Sequence, residues 1–415
     1  MRLRIHRGTK EIGGTCIEIE ARGKRIALDV GLPLDAPDEG QEELLPEVPG
    51  FREPDDSLLG VVISHPHQDH YGLARHIRPE VPVWIGEAAN DIMTAASAYV
   101  PGGHAFADPN FIADRTPVEI GPFRITPYLV DHSAFDAYAL LVEADGKRVF
   151  YSGDFRAHGR KGKLFEAMIK RPPEKLDVLL MEGTTIGRTG TSEGFATETD
   201  LEREFDQAFG ETAGLHFVWT SSQNIDRLVT IFRAAKRTGR MLLIDLYTAV
   251  VLEATGKDTI PQSGWDGVRL YVPQSQRVHI KKDALFDDLE RHKANRIFPE
   301  DLPGLRDRAV MLFRPMMMRD RGVGAVLDRA GLTYSMWEGY LKEPSVQRVV
   351  TWLAEHDIPW QVIHTSGHAS AADLQRFAAA LAPRMLVPIH SFETGRFTDF
   401  FDNVVRKEDG VWWDA

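Results

Sequence analysis

With 415 residues, 43% hydrophobic and 27% charged, the chain is long enough for two or three domains and too apolar for a disordered polymer. Its net charge of −12 argues against coating nucleic acid by bulk electrostatics, but leaves room for a nuclease whose acidic cluster holds cations. No window approaches roughly 18 uninterrupted apolar residues and MRLRIHRGTK lacks a signal-peptide core, so no membrane segment is expected and the expected compartment is the cytoplasm. Cys16, the single cysteine, excludes an intramolecular disulfide.

In chain order, Leu3 to His6, Thr15 to Glu20 and Arg25 to Val30 read as strands separated by the turn signals Gly13-Gly14 and Arg22-Gly23. Pro33 to Pro54 is a surface excursion rich in Pro, Asp and Glu. The apolar run Leu58 to Ile63 is a strand that delivers Ser64 to Gly72, SHPHQDHYG, with three histidines and one aspartate within six residues. A helix over Gly72–Ile77, a strand over Val81–Ile85 and a helix over Glu87–Tyr99 follow. Strands over Arg124–Val130, Arg148–Tyr151 and Leu176–Met181 end in Asp131-His132, Ser152-Gly153-Asp154 and Glu182-Gly183. Strands that repeatedly finish in His, Asp or Glu gather one rim of a sheet around a common site. From about Phe195 the pattern alternates between helix and strand, which predicts a parallel, doubly wound sheet. Its predicted helices include stretches near Asp283–His292, Gly322–Ala330 and Val346–His356.

His65 and His67 are two apart, so at the tip of an extended segment both point to one side and can grip one ion; Asp69 and His70 on the next turn can face a second. Imidazole and carboxylate without thiolate suit Zn²⁺ or Mn²⁺ at a catalytic site, against the plainer reading of a His-rich surface loop. Between Arg156 and Arg171 six Lys or Arg, among them Arg160 and Lys161, face one acid, Glu166. This run is either a solvated face or a grip on a polyanion. Ser221 and Ser222 precede a helix whose free N–H groups would seat a phosphate within reach of Arg227, although capping accounts for the serines equally well.

With these residues in view, the chain resembles the metallo-β-lactamase fold, and more narrowly its β-CASP branch of nucleases, ribonuclease J above all. The resemblance is carried by HxHxDH, by Glu182 in LLMEGTT, by His368 in HTSGHAS, by His390 in LVPIHSFE, and by TSSQNIDRL with KRTGR at the start of an inserted segment. It implies an α/β fold: a metallo-β-lactamase αββα sandwich from residues 1–190 and 355–415, interrupted by a doubly wound β-CASP domain at 191–354. It also implies two Zn²⁺, with Mn²⁺ as the alternative. His65, His67 and His132 would hold one ion and Asp69, His70 and His390 the other, with Asp154 bridging. The activity implied is phosphodiester hydrolysis by a hydroxide that the two metals activate, and His390 at the last motif favours single-stranded RNA over DNA.

Asp69, Glu182 and His368 are the expected catalytic residues. His368 would meet the scissile phosphate or the leaving group, because a histidine can donate a hydrogen bond or a proton near neutral pH. Ser370 beside it is a plausible helix N-cap and a substrate contact, and Asp29 either orients a ligand histidine or ends a strand. Two departures stand out: Ser391 and Phe392 precede Glu393 where the family shows glycine and glutamate, and Asp226 replaces a histidine of its SNIHR-like element. With Ala415 soon after the closing strand, the C-terminal domain typical of ribonuclease J is expected to be absent, and monomer and dimer both remain open. HxHxDH alone also allows a hydrolase of a small ester, thioester or cyclic phosphodiester, or a binding subunit on the same fold.

Overall fold

The computed structural model describes residues 1–188 and 194–415, and the chain divides into two compact units, Met1–Phe195 with Gly367–Ala415 and Ala196–Ser366. The strands in chain order are β1 Arg2–Arg7, β2 Cys16–Ala21, β3 Lys24–Leu28, β4 Leu58–Val62, β5 Val83–Gly86, β6 Asn110–Ile112, β7 Val118–Ile120, β8 Phe123–Leu129, β9 Tyr138–Ala144, β10 Lys147–Tyr151 and β11 Val178–Glu182. The second unit supplies β12 His216–Trp219, β13 Met241–Ile244, β14 Val268–Tyr271, β15 Arg296–Ile297, β16 Ala309–Leu312, β17 Gly331–Tyr334 and β18 Trp360–Val362. The return to the first unit adds β19 Met385–Ile389 and β20 Trp412–Asp414.

The first unit is a sandwich of two sheets, ordered β20-β1-β2-β3-β4-β5-β6 and β19-β11-β10-β9-β8-β7. Alternation along the strands splits their side chains between two layers. Leu3, Ile17, Ile19, Ile26 and Leu28 of one sheet meet Leu140, Val142, Val149, Leu180 and Ile389 of the other in a closed apolar core. The alternate residues Leu141, Phe150 and Leu179 face outward and are covered by Phe165 and Met168 of helix Gly162–Lys170 and by Leu374 and Phe377 of helix Ala371–Leu381. Ala27, Val61, Ile63, Val83 and Ile85 on the other outer face are covered by Ala89 and Met93 of helix Glu87–Ser97. The result is an αββα sandwich.

The second unit is built on one sheet ordered β15-β14-β13-β16-β12-β17-β18, every pairing parallel, with helices between successive strands. Among the described residues no helix is long and apolar enough to cross a membrane.

Some expected elements shift. The helix expected at Gly72 starts earlier, as a turn over Gln68–Tyr71 with His67 at its N-cap, so Asp69 and His70 ride on helix rather than loop. The helix expected over Gly322–Ala330 shrinks to Arg321–Gly324, where Asp320 caps Gly322 and Val323 but two glycines weaken propagation. Helix Gln274–Lys282 was not foreseen: QSQRVHIKK buries only Gln276 and Ile280, and so shows no apolar stripe. Strand β20 escaped notice because its pairing is remote, Leu3 lying opposite Trp413.

Candidate metal centre

Strands β3, β4, β10, β11 and β19 all deliver their C-terminal residues to one rim of the first unit. At the end of β3 the chain turns through Asp29 in the left-handed region, φ 57°. Two residues on, a β-carbon at Gly31 would lie 1.8 Å from the Asp69 carbonyl oxygen, so only glycine lets the histidine-rich turn rest against this strand end. After β10, Gly153 adopts φ 52° and sends the Asp154 carboxylate inward. After β19, His390 itself takes φ 50°.

Among the described residues three groups of donors result, each with ligand atoms within 4.8 Å of one another: His65, His67 and His132; Asp69, His70, Asp154 and His390; and Asp154, Glu182 and His368. Asp154 belongs to two of them, and its Oδ2 lies 3.1 Å from His70 Nε2, 3.6 Å from His390 Nε2 and 3.8 Å from His65 Nε2.

The surroundings fix which nitrogen each imidazole offers. His70 Nδ1 donates to Asp29 Oδ2 at 2.7 Å, and the same carboxylate accepts from Ser64 N, Ser64 Oγ and Tyr151 OH. Because the Ser64 hydroxyl is spent on Asp29, its oxygen is left to accept from His65 Nδ1 at 3.0 Å. His132 Nδ1 donates to the Gly367 carbonyl at 2.6 Å, and His390 Nδ1 meets Thr15 Oγ1 at 2.9 Å. Four rings thus have Nδ1 engaged and turn Nε2 toward the centre, the outer-shell arrangement that holds metal-binding histidines.

Three buried atoms on this inner surface, His65 Nε2, His390 Nε2 and Asp154 Oδ1, have no hydrogen-bond partner. A buried polar atom left unpaired costs about 1–3 kcal/mol, and here three converge. A divalent cation is the group that would satisfy them: the donors are nitrogen and carboxylate oxygen, without thiolate, and they converge in number.

Charge follows the same layout. Burial pushes His65, His132, His67 and His390 below the usual histidine range, toward the neutral form that binds metal. Burial opposes charge on His70 too, yet Asp154 and Asp29 raise it well above that range, so a proton and a cation compete for its Nε2. For Asp154, burial favours the acid, but His390, His70 and His368 hold the carboxyl well below the usual range. His368 is shifted in the same direction as His70: against the effect of burial, Glu182 and Asp154 raise it to about 9, and it is 23% exposed. Glu182, itself buried, accepts from the Phe155 and Thr184 backbone amides at 3.1 and 3.2 Å while lying 3.2 Å from His368 Nδ1.

The other expected site residues fare unevenly. Ser370 is the N-cap of helix Ala371–Leu381, accepting from Asp373 N, and is buried. Arg160 and Lys161 are half-buried, Lys161 Nζ lying 5.1 Å from the centre of the Phe135 ring. Arg156 corrects the expectation of a surface cation: it is wholly buried, its Nε 3.4 Å from Asp131 Oδ1. Ser221, Ser222 and Arg227 belong to the second unit. Ser221 is exposed, whereas Ser222 is buried and bonded to Thr248 and Arg314. Arg227 is likewise corrected: it is wholly buried and pairs with Glu198 at 3.0 Å, so it does not reach out to a phosphate. Sequence reasoning missed Thr15, Ser64, Tyr151 and the Gly367 carbonyl. Tyr151 and Ser64 adjoin recognised motifs in YSGD and SHPH, but nothing marks Thr15.

A profile of the beta-lactamase superfamily domain matches residues 35–241. The ribonuclease J of Helicobacter pylori is 22% identical over 400 residues, covering 92% of this chain and 55% of that protein. The ribonuclease J of Sinorhizobium meliloti is 22% identical over 380 residues (88% and 63%), and ribonuclease J 2 of Streptococcus pyogenes 22% over 397 (92% and 68%). The chain thus spans about half the length of the first of these relatives, 55%. A crystal structure of a protein of unknown function from Enterococcus faecalis V583 superposes with a TM-score of 0.79 at 20% identity, covering 99% of both chains, and so shares the fold. Motifs, architecture and relatives agree: the chain is a ribonuclease J-like protein of the metallo-β-lactamase superfamily, in its β-CASP branch.

Proposed function

We propose that this chain is a nuclease that hydrolyses phosphodiester bonds of single-stranded RNA with two divalent cations, Zn²⁺ or Mn²⁺. The observation that carries the reading is two adjacent donor groups, His65, His67 and His132 beside Asp69, His70, Asp154 and His390, with Asp154 Oδ2 3.8 Å from His65 Nε2 and with His65 Nε2, His390 Nε2 and Asp154 Oδ1 unpaired. His65, His67 and His132 would hold one cation and Asp69, His70 and His390 the other, with Asp154 placed to serve both. Bound there, the cations supply positive charge for the oxygens of a phosphodiester and acidify water.

The chain's own groups do the rest. Asp29 and the Gly367 carbonyl keep His70 and His132 in the tautomer that offers Nε2 inward. Glu182, fixed by two backbone amides, occupies His368 Nδ1 and stabilises the imidazolium. The proton that a leaving 3′ oxygen needs, or the hydrogen bond that a phosphoryl oxygen accepts, then comes from His368 Nε2. The second unit is the inserted β-CASP domain of this reading.

The test is cleavage of end-labelled single-stranded RNA and matched DNA, each with a 5′-phosphate or 5′-hydroxyl, by the metal-supplemented chain and by Asp69→Ala. RNA cleavage that disappears in the variant supports the reading, and mononucleotides or internal fragments tell exonuclease from endonuclease. A metal-loaded wild type that cuts neither polymer overturns it and turns attention to small esters and cyclic phosphodiesters.

A further inference from the structure

The loops that leave the adjacent parallel strands β11 and β19 carry Glu182 and His390 at their roots, with Glu182 lying opposite Ile389 in the ladder. Beyond those residues the loops stay together, Thr184 Oγ1 donating to the His390 carbonyl at 3.4 Å. Two residues past His390 the chain presents Phe392, 53% exposed, whereas its neighbour Ser391 is fully buried. The exposed Arg188 on the partner loop sets its guanidinium carbon 5.8 Å from the centre of the Phe392 ring. A large aromatic side chain held in water beside a metal centre removes little apolar surface on folding, so packing does not explain it. Among the exposed large apolar residues of the first unit, Leu34 is also placed by a ligand: a β-carbon at Gly13 would touch both Leu34 and Asp69.

We infer that Phe392 and Arg188 form a nucleotide subsite beside the metal centre, the ring stacking on a base and the guanidinium facing a neighbouring phosphate. The inference rests on the nuclease reading and adds a substrate contact to it. An exposed π-face with a cation above it has the chemistry that single-stranded nucleic acid selects: every base offers a face to stack, every linkage an anion. A glycine and glutamate at positions 391 and 392 would offer no such face, so the departure noted in the sequence falls on the residue that makes the platform.

The test measures steady-state cleavage of short single-stranded RNA and, in the presence of chelator, the fluorescence anisotropy of the same labelled RNA, for the full chain and for Phe392→Ala, Phe392→Trp and Arg188→Gln. Phe392→Ala is expected to raise KM and Kd about tenfold, with kcat changed less than about twofold, and Phe392→Trp to restore both. A scan with one abasic nucleotide at a time sharpens the assignment: wild type loses affinity at one position near the cleaved bond, and Phe392→Ala is indifferent there. Phe392→Ala with wild-type KM and Kd, or with the same abasic profile as wild type, overturns the subsite. So does a change in oligomeric state confined to the variant, which would make this face a contact between copies of the chain. Wild type that binds RNA without cutting it overturns the nuclease reading and keeps the subsite; wild type that neither cuts nor binds overturns both.

Discussion

The two units place polar residues at the C-terminal ends of their strands in the same way, yet what they do there differs. In the second unit the strand-end groups use one another up. Arg314 Nε meets Asp245 at 2.9 Å, its Nη1 donates to the Thr220 carbonyl at 2.7 Å, and its Nη2 reaches Thr248 and Ser222. Arg227 is spent in the same manner on Glu198 and Ser335. In the first unit carbonyl, hydroxyl and carboxylate partners engage the outer Nδ1 of His65, His70, His132 and His390, while His65 Nε2, His390 Nε2 and Asp154 Oδ1 are left over on the inner side. A buried polar cluster signals a ligand through this surplus, not through the number of charged residues in it.

The contrast can be broken experimentally. The largest effect should come from Asp154→Asn, which removes the anion shared by the group of Asp69, His70 and His390 and the group of Glu182 and His368, and lying 3.8 Å from His65 Nε2. RNA cleavage is expected to fall more than about a hundredfold, since even outer-shell changes cost 10–100-fold, and metal analysis should show the second ion lost. In the second unit Glu198→Ala leaves Arg227 buried without its counter-charge and should cost about 3–5 kcal/mol, read as a lower denaturant midpoint, whereas replacing both residues with methionine should recover most of it. If Glu198→Ala instead folds normally and loses RNA affinity, the pair is a ligand site and the contrast fails. Asp29→Asn should weaken metal affinity about 10–100-fold with the fold intact, as seen by metal titration.

The smallest effect concerns pH. His216, between Thr212 and Thr333 in the second unit, is driven by burial down to about 3. The unfolded chain therefore takes up a proton near 6.5 that the folded chain refuses. Stability is full above that pH and falls through the window down to about 3, by about 1–2 kcal/mol between pH 6.5 and 5. His216→Gln should flatten that slope in denaturant melts. An unchanged slope would place the acid sensitivity elsewhere, and not at Glu18, whose hydrogen bonds to His6, Arg25 and Arg4 outweigh burial and hold it at about 2, so that its contribution is lost only below the ordinary glutamate value of 4.5.

How far the sequence is legible follows the same physics. His65, His67, Asp69, His70, His132, Asp154 and His390 could be read because each ends a strand or opens a turn, where local pattern and motif coincide. The alternation of helix and strand after Phe195 predicted the parallel sheet for the same reason. Arg156 and Arg227 misled because the acids that bury them, Asp131 and Glu198, lie 25 and 29 residues away, too far for any local pattern to pair them. The support given by Thr15 to His390 spans 375 residues and left no local mark.

Asp29 and His390, both left-handed, bear on attempts to make this protein more heat-resistant. Each forgoes roughly 1–2 kcal/mol relative to a relaxed backbone. At Asp29 glycine would relieve the strain but orphan four buried donors, Ser64 N, Ser64 Oγ, Tyr151 OH and His70 Nδ1, so a stability screen would keep the aspartate there. At His390, whose Nε2 has no partner to lose, it would favour glycine, and the winning variant would melt later while having discarded an imidazole from the rim. Thermal tolerance and turnover should therefore move in opposite directions at the His390 strand end and together at the Asp29 one, and selection for activity alone should keep both strained residues.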